Sequence, residues 1–279
     1  MEIILAKSAG FCFGVKRAVN MAYRAAENSE HICSLGPLIH SPQLVQRLEG
    51  KGIRVQNSVE QIVDETVIIR SHGITRNEEQ ALERKGLPVV DATCPFVKKA
   101  QQYAALLGKE GYSVVIVGEQ EHPEVQGIIS YVAGSETSVV ANPEEARTVT
   151  PHKKLGLVAQ TTQSFDNFSE IVQELLENSK ELRIFNTICD ATAVRQEEAR
   201  QIAGRVALMV VIGGHNSANT TRLARICSEI QPRTHHIETA DEICADWLDG
   251  VEAVGVTAGA STPEWIIRDV VDRLTAVAK

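Results

Sequence analysis

The amino-acid sequence predicts an α/β protein of three pseudo-equivalent α/β domains, whose mostly parallel sheets are arranged around a central cavity in a trilobal architecture. Three observations predict it. A junction of a strand, a cysteine and a helix occurs three times. A polar turn that opens another helix follows each junction at a constant distance, and such constant offsets indicate structural repeats. Apolar, β-branched runs alternate with helices of about 10–15 residues, which is typical of βαβ units.

The cysteine junction is clearest in VVDATCPFVKKA, where a β-branched run ends and Cys94 precedes Pro95. Proline is favoured at the first helical position, so Cys94 is predicted to cap the helix. The start of a helix stabilises a thiolate, because its N–H groups and its dipole favour negative charge. The same plan recurs around Cys12 in IILAKSAGFCFGVKRAVNMA and around Cys189 in RIFNTICDATAVRQEEARQIA.

Two further sets of polar turns follow the same repeat. In SLGPLIHSPQLV, VVIVGEQEHPEVQG and LMVVIGGHNSANTTRL, the residues His40, His122 and Ser217 each lie 28 positions after a junction cysteine. A third set of turns follows a third series of strands, and we expect its small polar residues to cap the next helices. These residues are Ser71-His72-Gly73, Gln160-Thr161-Thr162 and Ser261-Thr262. All these residues follow carboxyl ends of strands, where open parallel sheets bind their ligands.

The repeat predicts three domains, at residues 14–95, 96–190 and 191–279. The third of them lacks a closing strand. The spare strand in IILAKSAGF, before Cys12, is expected to complete it, so residues 1–13 are assigned to the third domain.

Composition limits the class of protein. A chain of 279 residues with 43% apolar residues has the profile of a soluble protein of several domains. The net charge of −8 argues against general nucleic-acid binding. No apolar run approaches the roughly 20 residues of a membrane span, and the N-terminal run is too short for a signal peptide. We therefore expect a cytoplasmic protein with no membrane partner, whose six cysteines are thiols or metal ligands and not disulfides.

Three equivalent units around a pseudo-threefold axis would bring Cys12, Cys94 and Cys189 to one point. Three thiolates with one open position suit an iron–sulfur cluster whose fourth iron is open to substrate, or a zinc ion with a bound water. The cluster is favoured, because the signature of zinc deaminases is absent. Three buried structural thiols are the remaining alternative. The other cysteines lie outside the repeat and are expected to pack in the core: Cys33, Cys227 and Cys244.

Hydrogen-bonding side chains at several predicted helix starts surround this point. They are His40, Ser41, His72, His122, Glu124, Thr161, Thr162, Asn216, Ser217, Asn219 and Ser261. Each helix start carries roughly half a positive charge, so the set suits a phosphate or diphosphate. No GxxxxGK[ST] or GxGxxG motif supports nucleotide binding. Glu124 is the only acid of the set, and it is expected either to act as a general acid or merely to complement the helix dipole.

Nine stretches, in order from Ala9 to Ile266, together resemble the IspH/LytB family of 4-hydroxy-3-methylbut-2-enyl diphosphate reductases. They are AGFCFGVKRAV, GPLIHSPQLV, IRSHGI, DATCPFVKKA, GEQEHPEVQGI, QTTQS, ICDATAVRQEEA, GGHNSANTTRL and GVTAGASTPEWI. The resemblance implies a [4Fe–4S] cluster held by Cys12, Cys94 and Cys189. It also implies reductive dehydroxylation of the allylic diphosphate to isopentenyl and dimethylallyl diphosphates, the last step of the non-mevalonate isoprenoid pathway.

The resemblance further implies roles for single residues. Glu124, with Thr161, would deliver the proton that lets the hydroxyl leave as water. The diphosphate ligands would be His40, His72, His122, Thr161, Ser217, Asn219 and Ser261. A ferredoxin or flavodoxin would supply two electrons, one at a time. Where the family often has Ser-Ser-Asn, this chain has Ala218 in the middle, and we expect diphosphate binding to be weaker by about 0.5–1.5 kcal/mol, the worth of one neutral hydrogen bond.

Two other functions remain open at this point. One is a quinolinate-synthase-like enzyme, in which the open iron acts as a Lewis acid without net reduction. The other is a non-catalytic iron–sulfur redox protein, which would need neither Glu124 nor the hydrogen-bond donors at the helix starts.

Overall fold

The computed structural model describes residues 1–29 and 31–277, in which strands alternate with helices. The strands are β1 (Glu2–Leu5), β2 (Ile32–Leu35), β3 (Ile53–Gln56), β4 (Thr66–Ile69), β5 (Val89–Asp91), β6 (Ser113–Val117), β7 (Thr137–Val140), β8 (His152–Ala159), β9 (Ser179–Ile184), β10 (Leu208–Ile212), β11 (Thr234–Ile237) and β12 (Ala253–Ala258). The helices are α1 (Phe13–Asn28), α2 (Pro42–Glu49), α3 (Arg76–Lys85), α4 (Pro95–Lys109), α5 (Pro123–Tyr131), α6 (Pro143–Arg147), α7 (Phe165–Leu176), α8 (Asp190–Ala203), α9 (Ala218–Ile230) and α10 (Glu264–Val277).

The strands form three four-stranded sheets, in the orders β3-β2-β4-β5, β7-β6-β8-β9 and β1-β12-β10-β11. The strand pairings are parallel in all three sheets. The predicted α/β class with three parallel sheets is therefore confirmed. β1 pairs with β12, from Glu2 opposite Ala253 to Leu5 opposite Val256, so the N-terminal strand completes the third sheet as expected. The division into three domains stays a prediction, and its last two residues, 278 and 279, lie outside the described part of the chain.

Backbone contacts divide the chain into two compact units. Compact unit A comprises Met1–Lys16, Ile39–Arg47 and the chain from Asp190 onward, and it contains the sheet β1-β12-β10-β11. Compact unit B comprises Arg17–Leu38 and Leu48–Cys189, and it contains the other two sheets.

The central strands carry buried, mostly apolar runs, as expected for parallel sheets whose faces are covered by helices. All five residues of β10, LMVVI, are buried. Alternate residues serve opposite faces: Val210 packs in one cluster with Val270 of α10, and Val211 packs in another with Leu223 of α9. No helix within residues 1–29 and 31–277 combines the length and the apolar character of a membrane span.

The structure corrects one expectation about helix starts. At two of the three helices the third set of polar residues does not supply the cap: α3 begins after Thr75 and α7 after Ser164, and in both the hydroxyl of that preceding residue accepts an amide hydrogen bond as the N-cap. The predicted caps lie two to four residues earlier because a turn intervenes, which at Gly73 has a φ of 76°. In the second set the residue directly before α2 is Ser41, the neighbour of His40, and its Oγ accepts the amide of Leu44 at 3.4 Å.

Candidate active site

Each of the three junction cysteines directly precedes a helix. α1 begins at Phe13, α4 at Pro95 and α8 at Asp190, so the cysteines occupy cap positions. Cys94 has the extended backbone of an N-cap, and Pro95 occupies the first turn as predicted. All three side chains are half-buried, and within the described residues no cysteine forms a disulfide.

The backbone at the three cysteines makes the same hydrogen bond three times. The amide of Cys12 donates to the carbonyl of Ala260 at 3.2 Å, that of Cys94 to Ser71 at 3.0 Å, and that of Cys189 to Thr161 at 3.0 Å. Ser71 and Thr161 belong to the third set of polar turns, and Ala260 directly precedes Ser261 of that set. The repeat seen in the sequence is thus a repeat of geometry, which ties every cysteine to a turn that carries predicted ligand-binding residues.

The other cysteines differ from these three in their environment. Burial raises the pKa of Cys33 to about 12, with a further contribution from Glu65, and burial also raises the pKa of Cys227 to about 12. Both therefore stay neutral thiols, which are poor metal ligands. Their predicted place in the core is confirmed, whereas Cys244 is exposed and the expectation for it is wrong. The thiols at the helix starts are half-buried and lie where the helix dipole favours a thiolate, the form that binds metal.

Glu124 and Thr161 form a buried pair. Their exposed fractions are 1% and 6%. The amide of Thr161 donates to Glu124 Oε1 at 2.6 Å, and its hydroxyl donates to Oε2 at 2.9 Å. The carbonyl of the same threonine accepts the amide of Cys189. The only acid of the predicted set is therefore linked through one residue to a candidate metal ligand.

His122 is the N-cap of α5. Its Nδ1 accepts the amide of Glu124 at 3.1 Å, and a neutral imidazole that accepts at Nδ1 carries its hydrogen on Nε2. The Nε2 atom is then a hydrogen-bond donor suited to an anion. The ring of His72 meets that of His122 edge to face, with centroids 5.5 Å apart.

Compact unit A holds the other predicted diphosphate ligands at the ends of its strands. Ser217 is the N-cap of α9, and its Oγ accepts the amide of Thr220 at 3.3 Å. Asn219 is 7% exposed, and its Nδ2 is buried without a hydrogen-bond partner among the described residues. The hydroxyl of Ser261 donates to the carbonyl of His40 at 3.1 Å, so it must turn before it can donate to a ligand.

The residue that departs from the family pattern, Ala218, is the first residue of α9. Its N–H is one of the amides at a helix start that have no acceptor inside the helix. A diphosphate oxygen near this helix start would therefore find a backbone donor in place of the missing hydroxyl.

The structure groups the predicted residues in two sets. Compact unit A contains Cys12, His40, Ser217, Asn219 and Ser261, and compact unit B contains Cys94, Cys189, His72, His122, Glu124 and Thr161. Two glycines of unit A were not assigned from the sequence. A Cβ at Gly214 would lie 3.2 Å from the carbonyl oxygen of His40, and one at Gly213 would lie 2.5 Å from Thr262 Oγ1. The GGH sequence after β10 was the available signal for this close approach.

Comparison with known proteins agrees with these observations. The family described as "LytB protein" matches residues 3–275. The 4-hydroxy-3-methylbut-2-enyl diphosphate reductase of Syntrophotalea carbinolica is 63% identical over 100% of both chains. That of Geobacter sulfurreducens is 60% identical over 98% of this chain and 97% of its own.

Two solved structures have the same fold. A structure of (E)-4-hydroxy-3-methyl-but-2-enyl diphosphate reductase, the terminal enzyme of the non-mevalonate pathway, is 46% identical, with a TM-score of 0.73 over 99% of this chain and 100% of that one. The E-1-hydroxy-2-methyl-but-2-enyl-4-diphosphate reductase of Plasmodium falciparum is 28% identical, with a TM-score of 0.93 over 98% of this chain and 88% of that one.

Proposed function

Because the chain belongs to the LytB family, we propose that it reduces 4-hydroxy-3-methylbut-2-enyl diphosphate to isopentenyl and dimethylallyl diphosphates. The overall change replaces the allylic C–O bond by a C–H bond and releases water, and it consumes two electrons and two protons. The observation that carries the proposal is the buried pair of Glu124 and Thr161, whose threonine carbonyl also holds the amide of Cys189.

We propose that Cys12, Cys94 and Cys189 hold a [4Fe–4S] cluster. When bound, such a cluster would supply electrons one at a time and an open iron as a Lewis acid. The chain would contribute three thiolates at helix starts, where the dipole favours the charged sulfur. The backbone amides of the three cysteines donate equivalent hydrogen bonds, which supports equivalent roles for the three residues.

Glu124 would deliver the proton with which the substrate hydroxyl leaves as water. After this transfer, the carboxylate would be stabilised by the amide and the hydroxyl of Thr161, which already lie 2.6 and 2.9 Å from its oxygens. Because the Thr161 hydroxyl can rotate, it can also pass a proton between Glu124 and the substrate. The burial of both side chains keeps water from competing for this proton.

The diphosphate would be bound by neutral donors and by helix starts. His122 offers Nε2–H because its Nδ1 is occupied by an amide, and the starts of α5 and α9 attract negative charge. The remaining proposed ligands are His40, His72, Thr161, Ser217, Asn219 and Ser261. Asn219 supports this set most directly, since its buried amide nitrogen needs an acceptor.

The setting of the reaction is proposed on the same grounds. The electron donor would be a ferredoxin or a flavodoxin, the location cytoplasmic, and the chain would need no nucleic acid or membrane. The sequence repeat supports three α/β domains, at residues 14–95, 96–190 and 191–279 with 1–13.

The test is turnover under anaerobic conditions. The chain with its iron and sulfide complement is mixed with reduced ferredoxin and the hydroxybutenyl diphosphate, and the two product diphosphates are measured. We expect both products, in an amount set by the electrons consumed. An intact cluster with tight diphosphate binding and no turnover would contradict the proposal and would favour a Lewis-acid enzyme without net reduction.

A further inference from the structure

We propose that Arg195 and Glu198 of α8 form a clamp that positions Cys12. This inference rests on the proposed role of Cys12 as a metal ligand. The clamp holds the cysteine loop, residues 6–12, which connects β1 to α1. Neither Arg195 nor Glu198 is among the predicted ligand-binding residues, and both act on Cys12 through the backbone of this loop, so both are positioning residues and not catalytic ones.

The arginine binds backbone carbonyls on two segments. Arg195 is 3% exposed. Its Nε donates to the carbonyl of Ala258, the last residue of β12, at 3.0 Å. Its Nη2 donates to the carbonyl of Gly10 at 2.6 Å and also to that of Ser8. One guanidinium thus fastens the cysteine loop to the end of the neighbouring strand.

The glutamate binds the other end of the same loop. Glu198 accepts the amides of Lys7 and Ser8, each at 2.8 Å, and the hydroxyl of Ser8 at 2.5 Å. Burial by itself would raise the pKa of Glu198, but the hydrogen bonds from Ser8 and Lys7 lower it below its ordinary value. Residues three apart on a helix share a face, so Arg195 and Glu198 bind the loop side by side.

The shape of the loop explains why it needs external bonds. Gly10, two residues before Cys12, has a φ of 96°, which is the left-handed region. A backbone that turns in this way leaves its carbonyls outside regular structure, where they need donors. The planar guanidinium supplies several donors in a fixed geometry, which a lysine does not.

A second arginine makes a similar contact at another junction. Arg17 of α1 donates to the carbonyl of Thr93 at 3.1 Å and to that of Asp91 at 3.4 Å. Thr93 directly precedes Cys94. In both cases an arginine in the second turn of a helix binds carbonyls just before a proposed ligand, which favours a role in placing the sulfur over a general role in stability.

The first experiment measures the reactivity of the thiol in the full-length chain without iron. Alkylation of each cysteine by N-ethylmaleimide is followed by mass spectrometry, so that Cys94 and Cys189 serve as internal references. In Arg195→Met we expect Cys12 to react at least about tenfold faster, because the loss of even one of the three charged hydrogen bonds corresponds to that population change. Arg195→Lys should give an intermediate rate. Arg205→Met, at an exposed arginine just beyond α8, is the matched control and should change nothing.

The glutamate has an even closer control. Glu198→Gln should raise the reactivity of Cys12 and the hydrogen exchange of the Lys7 and Ser8 amides. Glu197→Gln, at the exposed neighbour on α8, should alter neither. If Arg195→Met fails to fold, the glutamate pair alone decides the question. Unchanged reactivity of Cys12 in the folded Arg195→Met and Glu198→Gln variants would overturn the clamp.

The second experiment tests whether the clamped cysteine is a ligand. Iron loss to a chelator is measured anaerobically on the holoprotein, and Arg195→Met should lose iron about tenfold faster than the parent chain. Faster alkylation of Cys12 with unchanged iron retention would show that the loop is clamped but that Cys12 holds no metal. Both measurements are made without substrate, so a failure to reduce the diphosphate would leave the result on the clamp intact.

Discussion

Replacement of Glu124 by glutamine separates proton delivery from binding. The carboxylate accepts two hydrogen bonds from Thr161, at 2.6 and 2.9 Å. A glutamine keeps the volume and can accept the amide with its oxygen, while its NH2 group donates to the Thr161 hydroxyl. Relative to the ionised state of Glu124, two charge-assisted bonds become neutral ones, so the loss of folding stability is up to about 3 kcal/mol. The acidic proton is removed altogether, and turnover should fall by about 10²–10⁴-fold.

The assay is anaerobic single turnover with a reduced donor, combined with a measurement of diphosphate binding. We expect an affinity within a few-fold of the parent chain, because Glu124 is not among the proposed diphosphate ligands. Glu121→Gln, at an exposed acid three residues earlier, is the control and should keep full turnover. Near-normal turnover of Glu124→Gln would contradict proton delivery by Glu124 and would place the proton source elsewhere, for instance on the phosphate of the substrate.

Three further predictions concern the thiols, the clamp and a glycine. Cys94→Ser should remain folded and lose most of its cluster iron. Cys227→Ser should keep the iron and lose about 1–3 kcal/mol of stability, because it buries a hydroxyl. Equal iron contents in the two variants would contradict the assignment of Cys94 as a ligand. Glu198 has a lowered pKa, so the stability gap between the parent chain and Glu198→Gln should be full above its ordinary value of 4.5 and should close as the pH falls below it; a gap that widens in acid, measured by thermal unfolding, would contradict this. Gly213→Ala should destabilise the chain by about 1–3 kcal/mol, because φ is 141° and the new Cβ would lie 2.5 Å from Thr262 Oγ1, and a parent-like melting temperature would contradict that strain.

The features that the sequence predicts well depend on short segments. A buried parallel strand is an unbroken apolar run, such as LMVVI in β10. The glycines that follow this run indicate where the strand ends. Cys94 was predicted as an N-cap because Pro95 fixes the start of α4, and the structure confirms it. The place of β1 in the third sheet was predicted by counting strands in the repeat, and its pairing with β12 agrees with that prediction. Each of these inferences needs only local pattern or symmetry.

The features that the sequence did not predict depend on distant contacts. In the sequence, Arg195 resembles any other charged residue of an amphipathic helix. It can be buried because its guanidinium donates to three backbone carbonyls, two of which lie more than 180 positions away in the chain. The starts of α3 and α7 were placed too early because a turn separates the polar residues from the caps, Thr75 and Ser164. Cys244 was expected in the core, but it is exposed. The local sequence around it contains no pattern that indicates this exposure.

The central claim is that three cysteines at equivalent helix starts hold a [4Fe–4S] cluster that serves diphosphate reduction. Iron and acid-labile sulfide analysis of the anaerobically purified chain tests it most directly. We expect about four iron and four sulfide atoms per chain, and their loss when Cys12, Cys94 or Cys189 is replaced by serine. Stoichiometric zinc, or a metal content that survives all three replacements, would contradict it.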